Sequence, residues 1–183
     1  MTANRAPGGI PSPWREFLAE LDAMLTEPLE LHCIGGFVLC FFYGLPRTTG
    51  DIDYYTAVPA DLNLDEMAGE GSPLHKKHKV WLHRAGIANL PEDYTNRLSD
   101  MAPGQFERLK LLAPDAYDCI LSKIERAGPK DRDDVDYLFR SQNLDAKILR
   151  NRYKYELRHN LIGQIESHDK TLELWIEIFE APL

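Results

Sequence analysis

Apolar positions change their period several times along the chain, and each change marks an element. From Pro13 to Leu25, Phe17, Leu18, Leu21, Met24 and Leu25 recur at three- and four-residue spacing. That pattern predicts a helix with one buried face, Ser12 as its N-cap and Pro13 in its first position. Leu29 to Ile34 is an apolar run of strand length, broken by Gly35-Gly36. Phe37 to Tyr43 is apolar on every side, and after a glycine turn it predicts a short, fully buried helix. From Asp51 to Thr56 the period is two: Ile52 points to the core, and Asp51 and Asp53 share the opposite face.

The rest of the chain continues in the same manner. Leu62 to Ala68 predicts a short acidic helix and Gly69 to Pro73 a loop. Residues 79–84 and 106–112 are strand candidates, with Leu90 to Arg97 a short helix between them. In the last strand candidate neither face is cleanly apolar, and Arg108 and Lys110 suit a sheet edge. Beyond Pro114 the pattern is helical. Ile120, Leu121 and Ile124 form one stripe, Val135 and Leu138 a second, and Leu172, Trp175, Ile176 and Phe179 another, with a further helix expected from Leu144 to Leu161. The fold expected is α/β in the α+β sense: a mixed twisted sheet of four or five strands with flanking helices and a helical C-terminal half. The division expected is a core over 1–112, N-terminal helix included, and a helical part over 113–183 packed on it.

Composition narrows the setting. The chain of 183 residues is 44% hydrophobic and 27% charged, ordinary for a globular protein, and long enough for a sizeable core. No apolar run approaches the ~20 residues of a membrane-spanning helix, and the first residues lack the apolar stretch of a signal peptide. Cys33, Cys40 and Cys119 sit among apolar neighbours without zinc-ligand spacing, which points to buried thiols and a cytoplasmic, reducing compartment. A net charge of −8 argues against a broad basic footprint for nucleic acid. Two local exceptions stand out: His75-Lys76-Lys77-His78-Lys79, and the segment carrying Arg150, Arg152, Lys154 and Arg158, which is either a solvated face or a surface for RNA or a partner.

The candidate chemistry lies between Gly35 and Asp53. Aspartate is depleted in strands, so two on one strand face require a reason. Read alone, Asp-Ile-Asp is a solvated strand end. Beside a glycine turn whose free N–H groups can take phosphate, it is the carboxylate pair that a hard cation, Mg²⁺ or Mn²⁺, uses together with substrate phosphates.

Taken as an ordered set, Gly35-Gly36, the buried helix and Arg47-x-Thr49-x-Asp51-Ile52-Asp53 resemble the signature of the DNA polymerase β-like nucleotidyltransferases, and most of all the minimal bacterial members related to abortive-infection and toxin–antitoxin nucleotidyltransferases. The resemblance continues through Lys123 and Lys130-Asp131-x-x-Asp134, spanning roughly residues 30 to 140. It implies that Gly35 and Gly36, with Arg47 and Thr49, contact a nucleoside triphosphate (NTP), that Asp51 and Asp53 hold Mg²⁺ or Mn²⁺, and that Lys123 contacts the triphosphate. Asp131 and Asp134 would complete or brace the site. The implied reaction moves a nucleotide from an NTP to an RNA or protein hydroxyl, with a cognate toxin or antitoxin as a possible partner and no membrane.

Two bland readings stand beside these. Lys123, next to an apolar stripe, would snorkel to water. The four acids from Asp131 to Asp136 would form a solvated helix N-terminus. The sequence also departs from the family: no acidic residue lies between Ser72 and Pro91, where a third carboxylate belongs, and His83 and Asn89 are the polar candidates for its place. The alternative function is therefore a catalytically degenerate module that keeps the fold and binds a protein partner.

Overall fold

The structure is a computed structural model and describes residues 9–86 and 88–181. The chain divides into two compact units, one drawn from Met1–Ala85 and Leu98–Ala113, the other from Gly86–Arg97 and Pro114–Leu183.

The first unit holds a mixed five-stranded sheet and four helices. Its elements in order are α1 (Trp14–Met24), β1 (Leu29–Ile34), α2 (Gly35–Phe41), β2 (Asp51–Val58), α3 (Leu64–Ala68), α4 (Pro73–His78), β3 (Trp81–Arg84), β4 (Ser99–Asp100) and β5 (Leu109–Ala113). The sheet order is β3-β2-β1-β5-β4. β1 runs antiparallel to β2 and parallel to β5, and β3 runs parallel to β2. The α+β class expected from the apolar pattern is the class observed.

Burial explains the order. β1 is central because Leu29, Leu31 and Cys33 are fully buried, and α2 follows it into the core with Phe37, Val38 and Leu39 at 1% exposure or less. Trp14 of α1 meets Phe37 and Phe41 edge-on, with centroids 5.3 and 6.1 Å apart. At the end of α1 the Asp22 carboxylate accepts three backbone N–H groups, from Glu107, Arg108 and Leu109, at 2.6 to 3.0 Å. Burial pushes its pKa up, and the three donors more than offset that, so the net shift is downward. This anchors the chain where β5 begins.

Several elements differ from the pattern reading. β5 is not an edge, because Leu109, Leu111, Leu112 and Ala113 are all buried and only Lys110 is exposed; Arg108 and Phe106 precede the strand, and the two-residue β4 forms the edge. The loop expected to run to Pro73 instead turns into α4 at that residue, with Ser72 Oγ accepting from the His75 N–H at 3.1 Å and Pro73 in the first turn. α1 starts at Trp14, with Pro13 rather than Ser12 at the cap.

The second unit is helical: a 3₁₀ segment (Glu92–Arg97), then α5 (Ala116–Leu121), α6 (Pro129–Ser141), α7 (Ala146–Arg152) and α8 (Ile165–Glu180). The single helix expected over Leu144 to Leu161 widens after Arg152 into a π-helical turn (Tyr153–Leu157) and tightens again over Arg158–Asn160. α8 starts earlier than its apolar stripe suggests, and Leu172, Trp175, Ile176 and Phe179 are all buried, with Phe179 stacked at 4.9 Å on Phe139 of α6. Among the described residues no helix is long and apolar enough to cross a membrane.

Candidate functional site

Strand alternation builds the site. Ile52 is fully buried, whereas Asp51 and Asp53 on either side of it are part-exposed. β3 pairs with β2 so that Trp81 lies opposite Asp51 and His83 opposite Asp53. Residues opposite one another in register share a sheet face, so His83 stands on the face that carries Asp51 and Asp53. His83 Nδ1 is 2.9 Å from Asp53 Oδ1. An ionised carboxylate only accepts, so Nδ1 carries the hydrogen and the neutral ring keeps its lone pair on Nε2. The Asp53 hydrogen bond raises the His83 pKa; slight burial opposes it, and the charges of Asp53, Asp51 and Asp65 add to it. One ligand atom each from Asp51, Asp53 and His83 lie within 4.8 Å of one another.

The other flank of β2 brings in the glycine turn. Ile34, the last residue of β1, pairs with Asp53, and Gly35 follows at φ +70°, a left-handed conformation that glycine adopts without penalty. A Cβ at Gly35 would fall on the Asp53 carboxylate. A Cβ at Gly36 would lie 2.9 Å from Thr49 Oγ1 and 3.2 Å from Arg47 Nη1. The Thr49 hydroxyl in turn donates to Asp51 Oδ1 at 3.1 Å. The glycines are thus the points where backbone meets the polar side chains. Gly35, Gly36, Arg47, Thr49, Asp51 and Asp53 all fall within this one constellation. Gly35→Ala is expected to destabilise the protein by at least about 1–2 kcal/mol through its positive φ, and to displace Asp53 as well. Thermal unfolding with and without Mg²⁺ checks both effects: a variant with wild-type stability and an unchanged response to the cation would show the turn to be permissive.

The donor set fits a hard divalent cation. Two carboxylates with room for substrate oxygens suit Mg²⁺ or Mn²⁺, and an imidazole beside them is tolerated better by Mn²⁺. Cys33 lies just beneath on β1. Burial, then the charge of Asp53, pushes its thiol up to about 12, which leaves it protonated and inert.

Lys123, Asp131 and Asp134 belong to the second unit and pair with one another there. Lys123 Nζ donates to Asp131 Oδ1 at 2.9 Å and to Asp134 Oδ2 at 3.1 Å, with all three side chains at 6% exposure or less. Asp131 also accepts from Arg126 Nε at 2.7 Å and from the Gly128 N–H at 3.2 Å, which ties down the start of α6. The lysine therefore does not snorkel, and the acidic helix start is solvated only in part: Asp131 and Asp134 are buried, while the Asp133 side chain is 75% exposed. Asn89, the other candidate for the third acidic position, donates to Glu125 at 2.8 Å within the same unit.

Nothing in the sequence singled out a second buried network. The fully buried Asp118 is gripped by Arg97 Nε and Nη2 at 2.8 and 3.1 Å and by Arg152 Nη1 at 2.9 Å. Burial raises the Asp118 pKa and the two guanidiniums oppose it. Residues this far apart in sequence carry no local signal of their pairing.

A family model described as "Nucleotidyltransferase of unknown function (DUF6036)" matches residues 15–180. No curated protein and no solved structure matches the chain significantly.

Proposed function

The chain belongs to that nucleotidyltransferase family of unknown function, and on this premise we propose that it is a divalent-metal-dependent enzyme of the polymerase β-like kind, moving a nucleotide from an NTP to a hydroxyl of RNA or protein. The observation that carries the reading is the convergence of Asp51, Asp53 and His83 within 4.8 Å, directly against the glycine turn.

Asp51 and Asp53 are the residues that would hold Mg²⁺ or Mn²⁺, which supplies charge neutralisation at the phosphates. Thr49 orients Asp51 through its hydroxyl. The N–H groups of the Gly35-Gly36 turn and the Arg47 guanidinium are the groups that would receive the β- and γ-phosphates and stabilise charge on the departing pyrophosphate. His83, aimed by its bond to Asp53, takes the acceptor's proton at Nε2. The acceptor oxygen forms a bond to the α-phosphorus as the bond from phosphorus to the pyrophosphate oxygen breaks. A histidine at the third position thus keeps a base where the family pattern has an acid.

The resemblance assigns triphosphate contact to Lys123 as well; that role requires Asp131 and Asp134 to release its ammonium. The same resemblance motivates a place in a toxin–antitoxin or phage-defence pair, and the three buried thiols suit a reducing cytoplasm.

The test is incubation of the protein with each α-labelled NTP, Mg²⁺ or Mn²⁺, and bulk RNA or cell extract. Covalent labelling that disappears in Asp51→Asn supports the reading. No labelling under any combination, with the fold intact, favours the degenerate binding module.

A further inference from the structure

Trp81 is the part of this face that the proposed chemistry leaves unused. The chain has three tryptophans; Trp14 and Trp175 are buried at 3% and 2% exposure, and Trp81 is part-exposed. It lies opposite Asp51 in the β2–β3 register, on the face that carries both carboxylates and His83. Its ring runs alongside Gly50, where an added Cβ would be in ordinary contact at 3.7 Å. The His75 ring backs it, with centroids 4.7 Å apart and planes tilted by 52°. His75 is itself held, because its Nδ1 accepts the Gly71 N–H at 2.7 Å. The indole is therefore a supported aromatic surface next to the candidate metal ligands.

The basic run seen in the sequence sits on the same segment. Lys77 and His78 are engaged with Glu20 at 2.6 and 2.8 Å, and Lys76 and Lys79 stay exposed, Lys79 two residues ahead of Trp81. In a chain of net charge −8, Lys76 and Lys79 are exposed positive charge on the segment that leads into Trp81. An aromatic surface with exposed lysines on the segment leading into it is an arrangement suited to an unpaired polynucleotide strand: the base stacks and the backbone phosphates meet the cations.

Position decides which reactant this is. The glycine turn and Arg47 lie on the β1 flank of β2, and Trp81 and His83 on the β3 flank. In an in-line displacement the attacking oxygen and the leaving pyrophosphate stand on opposite sides of the phosphorus. With the pyrophosphate at the glycine turn, the attacking hydroxyl arrives from the flank of Trp81.

We propose that Trp81, backed by His75, is the platform on which the terminal base of an unpaired polynucleotide acceptor stacks, with Lys76 and Lys79 contacting its phosphates. This rests on the nucleotidyltransferase reading and narrows its acceptor to a nucleic-acid end. Binding can be read without catalysis, using the full chain in EDTA without NTP and a short unstructured RNA oligonucleotide. Stacking should quench the native tryptophan fluorescence saturably, since Trp81 is the accessible indole. By anisotropy of a dye-labelled oligonucleotide, Trp81→Leu should bind about tenfold more weakly or worse, and Trp81→Phe should retain most of the affinity. Lys76→Gln with Lys79→Gln should reduce the steepness of the log–log salt dependence by about 1.4.

Absence of quenching in the wild type overturns the proposal, as does wild-type affinity in Trp81→Leu or equal affinity for a duplex of the same sequence. Quenching by an NTP alone that competes with the strand also overturns it, since the donor's base would then occupy the platform. Should Trp81→Leu lose its circular dichroism signature, Trp81→Phe and the lysine pair decide. Strand binding intact without any nucleotide transfer counts against the enzymatic reading and leaves the platform standing. Transfer intact with a fully competent Trp81→Leu does the reverse.

Discussion

Lys123→Met is expected to cost about 3–5 kcal/mol of stability at neutral pH, because it removes the ammonium from between two buried carboxylates. Methionine fills much of the volume, so the loss is electrostatic rather than a cavity effect. Asp131 retains Arg126 and the Gly128 N–H, but the Arg126 side chain is 67% exposed and neutralises less than a buried ammonium does. Acid should narrow the gap. In the native protein the Asp131 pKa is held well below the usual carboxylate range: burial pushes it up, and Arg126 and Lys123 together pull it further down. A depressed folded-state pKa contributes stability that is present above about pH 4 and lost as the pH falls below it. In Lys123→Met the Asp131 pKa moves back up, so this contribution is largely absent at neutral pH and acid takes less away. Urea unfolding at pH 7 and at pH 3.5 measures both differences. Replacing all three charges together, Lys123→Met with Asp131→Asn and Asp134→Asn, should recover part of the loss. A penalty under about 1 kcal/mol at pH 7 would show that the cluster does not support the helical unit, and would return Lys123 to the phosphate-contact role without a stability cost.

What the sequence made legible is what local physics dictates. The glycine turn ahead of an all-apolar seven-residue helix, the alternation that throws Asp51 and Asp53 to one side of Ile52, and the buried stripe of α8 each follow from the period of a single element. What it hid depends on which elements become neighbours. His83 was one of two polar candidates for the vacant acidic position, and only the parallel pairing of β3 with β2 distinguishes it from Asn89. β5 read as an edge because its interior is set by β1, some eighty residues away, and by Asp22 at the end of α1. Neither reading of Lys123, triphosphate contact from the resemblance or a snorkelling amine from its apolar stripe, contains the buried ion pair, because its partners lie 8 and 11 positions ahead, across the turn at Gly128-Pro129. The short helix α4 is hidden for a different reason. Gly69, Gly71 and Pro73 are loop signals in the sequence, whereas in the structure Ser72 and Pro73 are the cap and first position of a new helix. The candidate site was thus readable in its β1–β2 half and obscure in the half that β3 supplies.

In the wild type, Mg²⁺ or Mn²⁺ together with an NTP should raise the melting temperature, since a ligand that binds only the folded chain at 100 times its Kd adds about 2.7 kcal/mol. Asp53→Asn is the sharpest probe of where that ligand sits. The amide oxygen can still accept from the His83 Nδ1–H, so the variant removes a charge while leaving the imidazole aimed as before. Without ligand it should be slightly more stable than the wild type, because Asp51 and Asp53 are like charges on one strand face. With cation and NTP its thermal shift should vanish, and nucleotide transfer should fall by about 100-fold or more. His83→Gln separates the two parts of the cluster. If His83 acts as the base, the thermal shift survives in that variant while transfer at neutral pH falls by about 10²–10⁴. If His83 is instead a required ligand, shift and transfer are lost together. A thermal shift that persists unchanged in Asp53→Asn would place the metal–nucleotide site away from β2. No shift in the wild type, with no labelled product, would leave a folded binding module whose aspartates hold nothing.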